Sequence, residues 1–198
     1  MSLQDSKQLR IVIGLVWVAL ALVLSCSKEQ RPAAESNPLV EFGRRVEEYA
    51  ALHHRLADTM GPLDETKSQA EIAARAATLA HLIQNERATA KQGDILFPAA
   101  AAAIKAILQQ EYSSEPDSVR RTREAQEKEY REDGLPDFTP TVNTLYPTTY
   151  PLITFPPGLL PLLPKLPSVV EYRVLSGHLL LRDVEANLII DFVPQAVP

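Results

Sequence analysis

Apolar positions open the chain as one block and afterwards follow two rhythms, helical and then alternating. Ile11 to Leu24 carries no charge. Lys7 and Arg10 stand before it, with Asp5 the only opposing charge, and the chain turns polar at once at Ser27, Lys28 and Glu29. A cleavable signal needs about 7–15 apolar residues ahead of a small-residue cleavage site, whereas a spanning helix needs about 20. The run fits the first and falls short of the second.

Residues 27–38 (SKEQRPAAESNP) have no apolar periodicity and read as a tether. Twelve extended residues reach about 40 Å, at roughly 3.3 Å each. From Leu39 the rhythm is helical: Phe42, Val46, Tyr49, Leu52, Leu56 and Met60 share one face, and Gly61-Pro62 ends it. A second helix is expected from near Asp64, as its cap, to about Ala90, with the stripe Ile72, Ala76, Leu79 and Ile83. Gly93-Asp94 is a stop. A third helix starts around Pro98, where a missing amide costs nothing, and runs through an alanine-rich stretch of high helix propensity. Asp117 to Asp133 is nearly all charged, with Val119 and Tyr130 its only large apolar residues. It predicts either a solvated helix supported by pairs such as Glu124–Lys128 or a partly disordered segment.

Nine of the sixteen prolines fall between Pro136 and Pro167, among many Leu, Ile, Tyr and Phe residues. A solvated linker would be polar, so this predicts an extended strap packed on the domain. Val142 to Tyr146 is a candidate strand. Thr154 is a candidate cap for a short turn opened by Pro156 and Pro157 that buries Leu159, Leu160 and Leu163. The rival reading is a polyproline ligand for an aromatic groove. The end alternates as β: Val169–Leu175, His178–Asp183 and Leu188–Val193, joined by Ser176-Gly177 and by Glu185-Ala186-Asn187. Three strands with one apolar face need a cover, and the helices are the available one. The fold class expected is α+β: a bundle of three to four helices, a Pro-rich strap and a three-stranded antiparallel meander. The expected organisation is a signal (1–25), a tether (26–38) and one domain (39–198), divided into helices (39–133), strap (134–168) and meander (169–193).

Val23-Leu24-Ser25-Cys26 resembles the lipobox of bacterial lipoproteins, although Leu is commoner at its first position and Ala at its second. The resemblance implies a lipid on the Cys26 sulfur, cleavage before it and acylation of the new amino terminus. Two or more acyl chains anchor stably where one is marginal. The alternative is an uncleaved signal anchor with an incidental cysteine. Cys26 is the only cysteine, so no disulfide framework and no spare thiol exist. Ser rather than Asp at position 27 favours the outer membrane under the usual sorting rule, with the inner membrane left open. Removing residues 1–25 leaves 18 basic and 24 acidic residues in 173, a balance that argues against nucleic acid.

No GxGxxG or Walker loop, GxSxG, HExxH or zinc cysteine pair is present, so no cofactor is expected. Of the four histidines, His53 lies next to the stripe of the first helix and His81 flanks that of the second; they meet if the helices pair antiparallel. His54 and Asp58, four apart, share a face that suits two metal ligands, although histidines beside an apolar stripe are more often packing residues. Glu171, Asp183, Glu185 and Asp191 crowd the last hairpins. Paired carboxylates can do acid–base work, but turn-flanking acids also serve turn geometry and edge protection, and Arg173 and Arg182 are available to pair with them across strands.

From Arg87 to Pro198, the segments KQGDILFP, VNTLYPTTYPLITFPPGLLPLLPKLP and VEYRVLSGHLLLRDVEANLIIDFVPQAVP resemble a family of uncharacterised exported bacterial proteins with Ala-rich helices, a Pro/Leu strap and a terminal hairpin. The chain departs from that pattern by its lipobox Cys26. The resemblance implies no activity and no site residues. A fainter likeness joins the terminal hairpin to small periplasmic proteins of metal homeostasis, in shape only. The expectation is a non-enzymatic envelope module that holds the membrane through Cys26 and binds an envelope protein partner. The alternative is a periplasmic enzyme or metal-handling protein using His53, His81 and the late carboxylates.

Overall fold

The face predicted for the first helix is the face that packs. In the computed structural model, which describes residues 37–61, 68–132, 138–150 and 158–197 (backbone alone at 122–123, 126–127 and 129–132), helix α1 spans Pro38–Thr59. The Asn37 carboxamide oxygen accepts the Leu39 amide at 3.0 Å, and Pro38 sits in the first turn. Phe42, Val46 and Tyr49 are buried, and Leu52, Leu56 and Met60 are half-buried. Gly61, at φ 73°, turns the chain out of the helix.

Helix α2 spans Gln69–Glu86, shorter than expected at both ends. Ser68 accepts the Glu71 amide at 3.3 Å as its cap; Asp64 lies outside the described residues. The helix stops before Ala90 because Arg87–Thr89 form a turn, closed by the Ala90 amide on the Arg87 carbonyl at 2.9 Å. Leu79, Ala80 and Ile83 are buried, but Ile72, counted in the stripe, is exposed. Only the C-terminal half of α2 reaches the core. Helix α3, Pro98–Ser114, buries Ala100, Ile104 and Leu108 at a spacing of four. The charged segment is helix α4, Asp117–Glu132, with Val119 exposed.

Strands β2 (Val170–Leu175), β3 (His178–Asp183) and β4 (Leu188–Val193) form the predicted antiparallel meander. The strand expected over 142–146 contracts to β1, Thr144–Leu145, which pairs with β4 and gives the sheet order β1-β4-β3-β2. Asn143, at φ 63°, breaks the extended backbone before it. Ser176 and Gly177 both have positive φ, as a two-residue hairpin demands. The Gly177 carbonyl also accepts the amides of Ala196 and Val197, pinning the end of the chain to the hairpin tip.

The sheet is covered on both faces, not one. Leu179, Leu180 and Leu181 are consecutive and fully buried, the mark of a strand without a solvent face. Leu179, Leu181, Leu188, Ile190 and Val193 pack with the helices, whereas Leu180 and Ile189 pack with Tyr146 and Leu175, flanked by half-buried Phe138, Tyr150 and Phe192. The first part of the strap therefore covers the second face. Its later part sends Leu159 and Leu163 into the helix-side core, while Leu160 is half exposed on a short 3-10 turn, Leu160–Leu162. Thr154, Pro156 and Pro157 lie outside the described residues. Each fully buried leucine or isoleucine contributes about 1.5–3 kcal/mol.

A bulge in β4 sets up the polar interior. Leu181 pairs with Asp191 and Arg182 with Ile189, so Ile190 is the extra residue. Strict alternation would send Asp191 to the strap side. The bulge turns both Ile190 and Asp191 toward the helices. All the described residues belong to one unit, Ser36–Pro198.

Candidate functional site

Tyr49 and His53 are four apart on α1 and so project from one face. Asp183 ends β3, and the turn Val184–Asn187 follows. The Asp183 carboxylate joins them: Tyr49 Oη donates to Oδ2 at 2.6 Å, His53 Nδ1 lies 2.6 Å from the same oxygen, and Oδ1 accepts the Ala186 amide at 2.7 Å. His53 Nε2 is 3.4 Å from Glu185 Oε2. Arg75 of α2 donates to Glu185 Oε1 at 3.2 Å and to the Gly61 carbonyl at 3.1 Å. One polar chain thus runs from α1 through the β3–β4 turn to α2.

His53 and Asp183 are 1% and 0% exposed. Burial presses the His53 pKa down, but the Asp183 hydrogen bond and charge, with help from Glu185, outweigh it and leave the pKa raised. Burial and the neighbouring Asp183 charge likewise raise the Tyr49 phenol. The carboxylates facing both ring nitrogens thus shift the balance toward the charged imidazole. A catalytic histidine keeps one nitrogen for a nucleophile or substrate. Among the described residues, no hydroxyl or thiol bonds to His53, and its outer nitrogen faces Glu185. The arrangement fastens helix to hairpin.

The other late carboxylates go to separate places. Asp191 accepts four backbone amides, from Gly93 at 3.0 Å and from Ile95, Leu96 and Phe192 at 2.8 Å each. It organises the loop between α2 and α3. Glu171 lies on the strap side, bound by Arg173 at 2.7 Å and, across the strand pair, by Arg182. Burial raises its pKa, but the two guanidiniums win and hold it low. His81 is exposed on α2, whereas His53 is buried. His54 and Asp58 are both exposed, the His54 ring edge-on to His53 at 5.3 Å. Among the described residues, no three metal-type side chains gather to hold an ion. Cys26 lies outside the described residues.

Tyr49, Arg75 and Arg87 take part in the polar interior without having been singled out as polar. Tyr49 was legible only as part of an apolar stripe. The Arg87 guanidinium lies over its ring at 5.2 Å and donates to Asn143 Oδ1 and the Ile190 carbonyl. The signal that existed was a single acid inside the apolar run LIIDFV, because a buried charge must be partnered. No protein-family model matches the chain, and neither a curated protein nor a solved structure does.

Proposed function

We propose that this protein is a lipid-anchored component of the bacterial envelope, held to the membrane through Cys26, and that its α+β domain is a binding or structural module rather than an enzyme. The observation that carries the second half is the occupation of His53: Asp183 at 2.6 Å on one nitrogen and Glu185 at 3.4 Å on the other. The first half stands on the apolar run and Val23-Leu24-Ser25-Cys26. Among the described residues no helix is long and apolar enough to cross a membrane, so attachment falls to the amino terminus. Ser27 favours the outer membrane, the resembled family is that of exported proteins without assigned activity, and the partner is an envelope protein rather than nucleic acid. The alternative use of His53, His81 and the late carboxylates as one reactive centre is weakened by the distribution of these groups over four separate surroundings.

The anchor is tested by labelling cells with radioactive palmitate. Wild type should take up label and Cys26→Ala should take up none. Equal labelling of both, or a wild type that keeps residues 1–25, would sink the anchor. Copurification of an envelope protein from detergent-solubilised membranes with the wild-type chain tests the module.

A further inference from the structure

Arg87 is a half-buried cation with neutral partners. The other half-buried arginines among the described residues each have a carboxylate: Arg45 has Glu41, Arg75 has Glu185, and Arg173 and Arg182 share Glu171. Arg87 donates to the Asn143 carboxamide oxygen and the Ile190 carbonyl, at 3.1 and 3.0 Å. A guanidinium carries five N–H donors, and these bonds engage two of them. Burial presses the Arg87 pKa down, and the nearby charges of Asp191 and Asp94 only partly oppose it.

Arg87 lines an open cleft of about 460 Å³ between α1, the end of α2 and the loop leading to α3. Half-buried Leu52 gives it an apolar wall, with the buried Tyr49 and Ile95 behind. Of its acids, Glu48 is paired with Arg44, and Asp94 accepts the Lys91 amide at 2.9 Å. Three arginines and three acids line the cleft, a balance of zero. Arg44 and Arg45 are bonded to carboxylates, so Arg87 is the cleft arginine without one.

We propose that this cleft binds a small organic monocarboxylate, its carboxylate on the remaining N–H groups of Arg87 and its hydrocarbon body against Leu52. A planar guanidinium edge matches a carboxylate bidentately. A dianion would meet one unmatched cation and three acids, so inorganic phosphate fits poorly. The volume exceeds what a bare anion fills and falls in the range of small-molecule sites. The proposal deepens the reading of the domain as a binding module and is independent of Cys26.

The test is calorimetric titration of the full lipidated chain in non-ionic detergent with benzoate, inorganic phosphate and chloride at matched ionic strength. Benzoate should bind saturably, one per chain, at least tenfold tighter than either inorganic anion. Arg87→Gln should weaken benzoate at least tenfold. Because Arg87 also holds the Ile190 carbonyl, a second variant guards against misfolding: Thr89→Glu places a negative charge at an exposed position on the cleft wall and should weaken benzoate severalfold without lowering the melting temperature. Benzoate binding no tighter than chloride, phosphate binding tighter than benzoate, or both variants binding like wild type would each overturn the site. A failure here leaves the palmitate result at Cys26 standing, and loss of that label leaves benzoate binding standing.

Discussion

Asp183 and Asp191 sit on neighbouring strands and are both fully buried, but they are satisfied by different kinds of partner. Asp191 takes four backbone amides, three of them from one loop. Asp183 takes a phenol, an imidazole and one amide. Backbone amides do not titrate and cannot be mutated away, so the Asp191 site is a fixed staple. The Asp183 site depends on two side chains of α1, one of them an imidazole whose charged form the carboxylate favours. Burial of a charge does not by itself mark a reactive centre: one buried acid folds a loop, the other clasps a helix.

The sharpest way to break the comparison is Asp191→Ala, which strands up to four donors. Breaking a buried charged hydrogen-bonding group costs about 3–5 kcal/mol, measurable as a lower midpoint in urea. Asp183→Asn should cost less, about 2–3 kcal/mol, because one amide oxygen still accepts from Tyr49 and His53 can give up its proton. If the Asn variant at 183 proves the more damaging of the two, the ranking of staple over clasp is wrong.

Next comes pH. The folded His53 pKa is raised above the ordinary 6.5, so the folded state holds the extra proton. Its stabilisation is fully present below about 6.5 and is lost as pH rises through the folded pKa. His178, whose pKa burial lowers, contributes a slope of opposite sign, so the proper comparison is wild type against His53→Gln. Stability curves from pH 5.5 to 9 should show an alkaline loss in wild type that the variant lacks; parallel curves would remove the clasp. The smallest effect belongs to Glu185→Gln, under about 1 kcal/mol for a half-exposed partner, with a shallower pH slope read from the same curves.

Periodicity carried most of the fold into view. Phe42, Val46 and Tyr49 on α1, the cap-and-alanine signature at Pro98, and the Ser176-Gly177 turn are local patterns, and local patterns survive folding. Three features lay beyond such reading. Ile72 has helical spacing but is exposed, because only the C-terminal half of α2 reaches the core. The β4 bulge shifts Asp191 between faces by one residue, and nothing in LIIDFV marks which residue is extra. The clasp joins residues 130 apart in sequence, so both partners were nameable as candidates while their meeting was not. His81, equally nameable, points to solvent.

The central claim is that His53 is a charged fastener between carboxylates rather than a free base. It is tested most directly by following the His53 ring nitrogens by 15N NMR from pH 5 to 9 in wild type and Asp183→Asn. Wild type should show a midpoint above 6.5, and that midpoint should fall in the variant. A wild-type midpoint at or below 6.5, or one unmoved by Asp183→Asn, would contradict it.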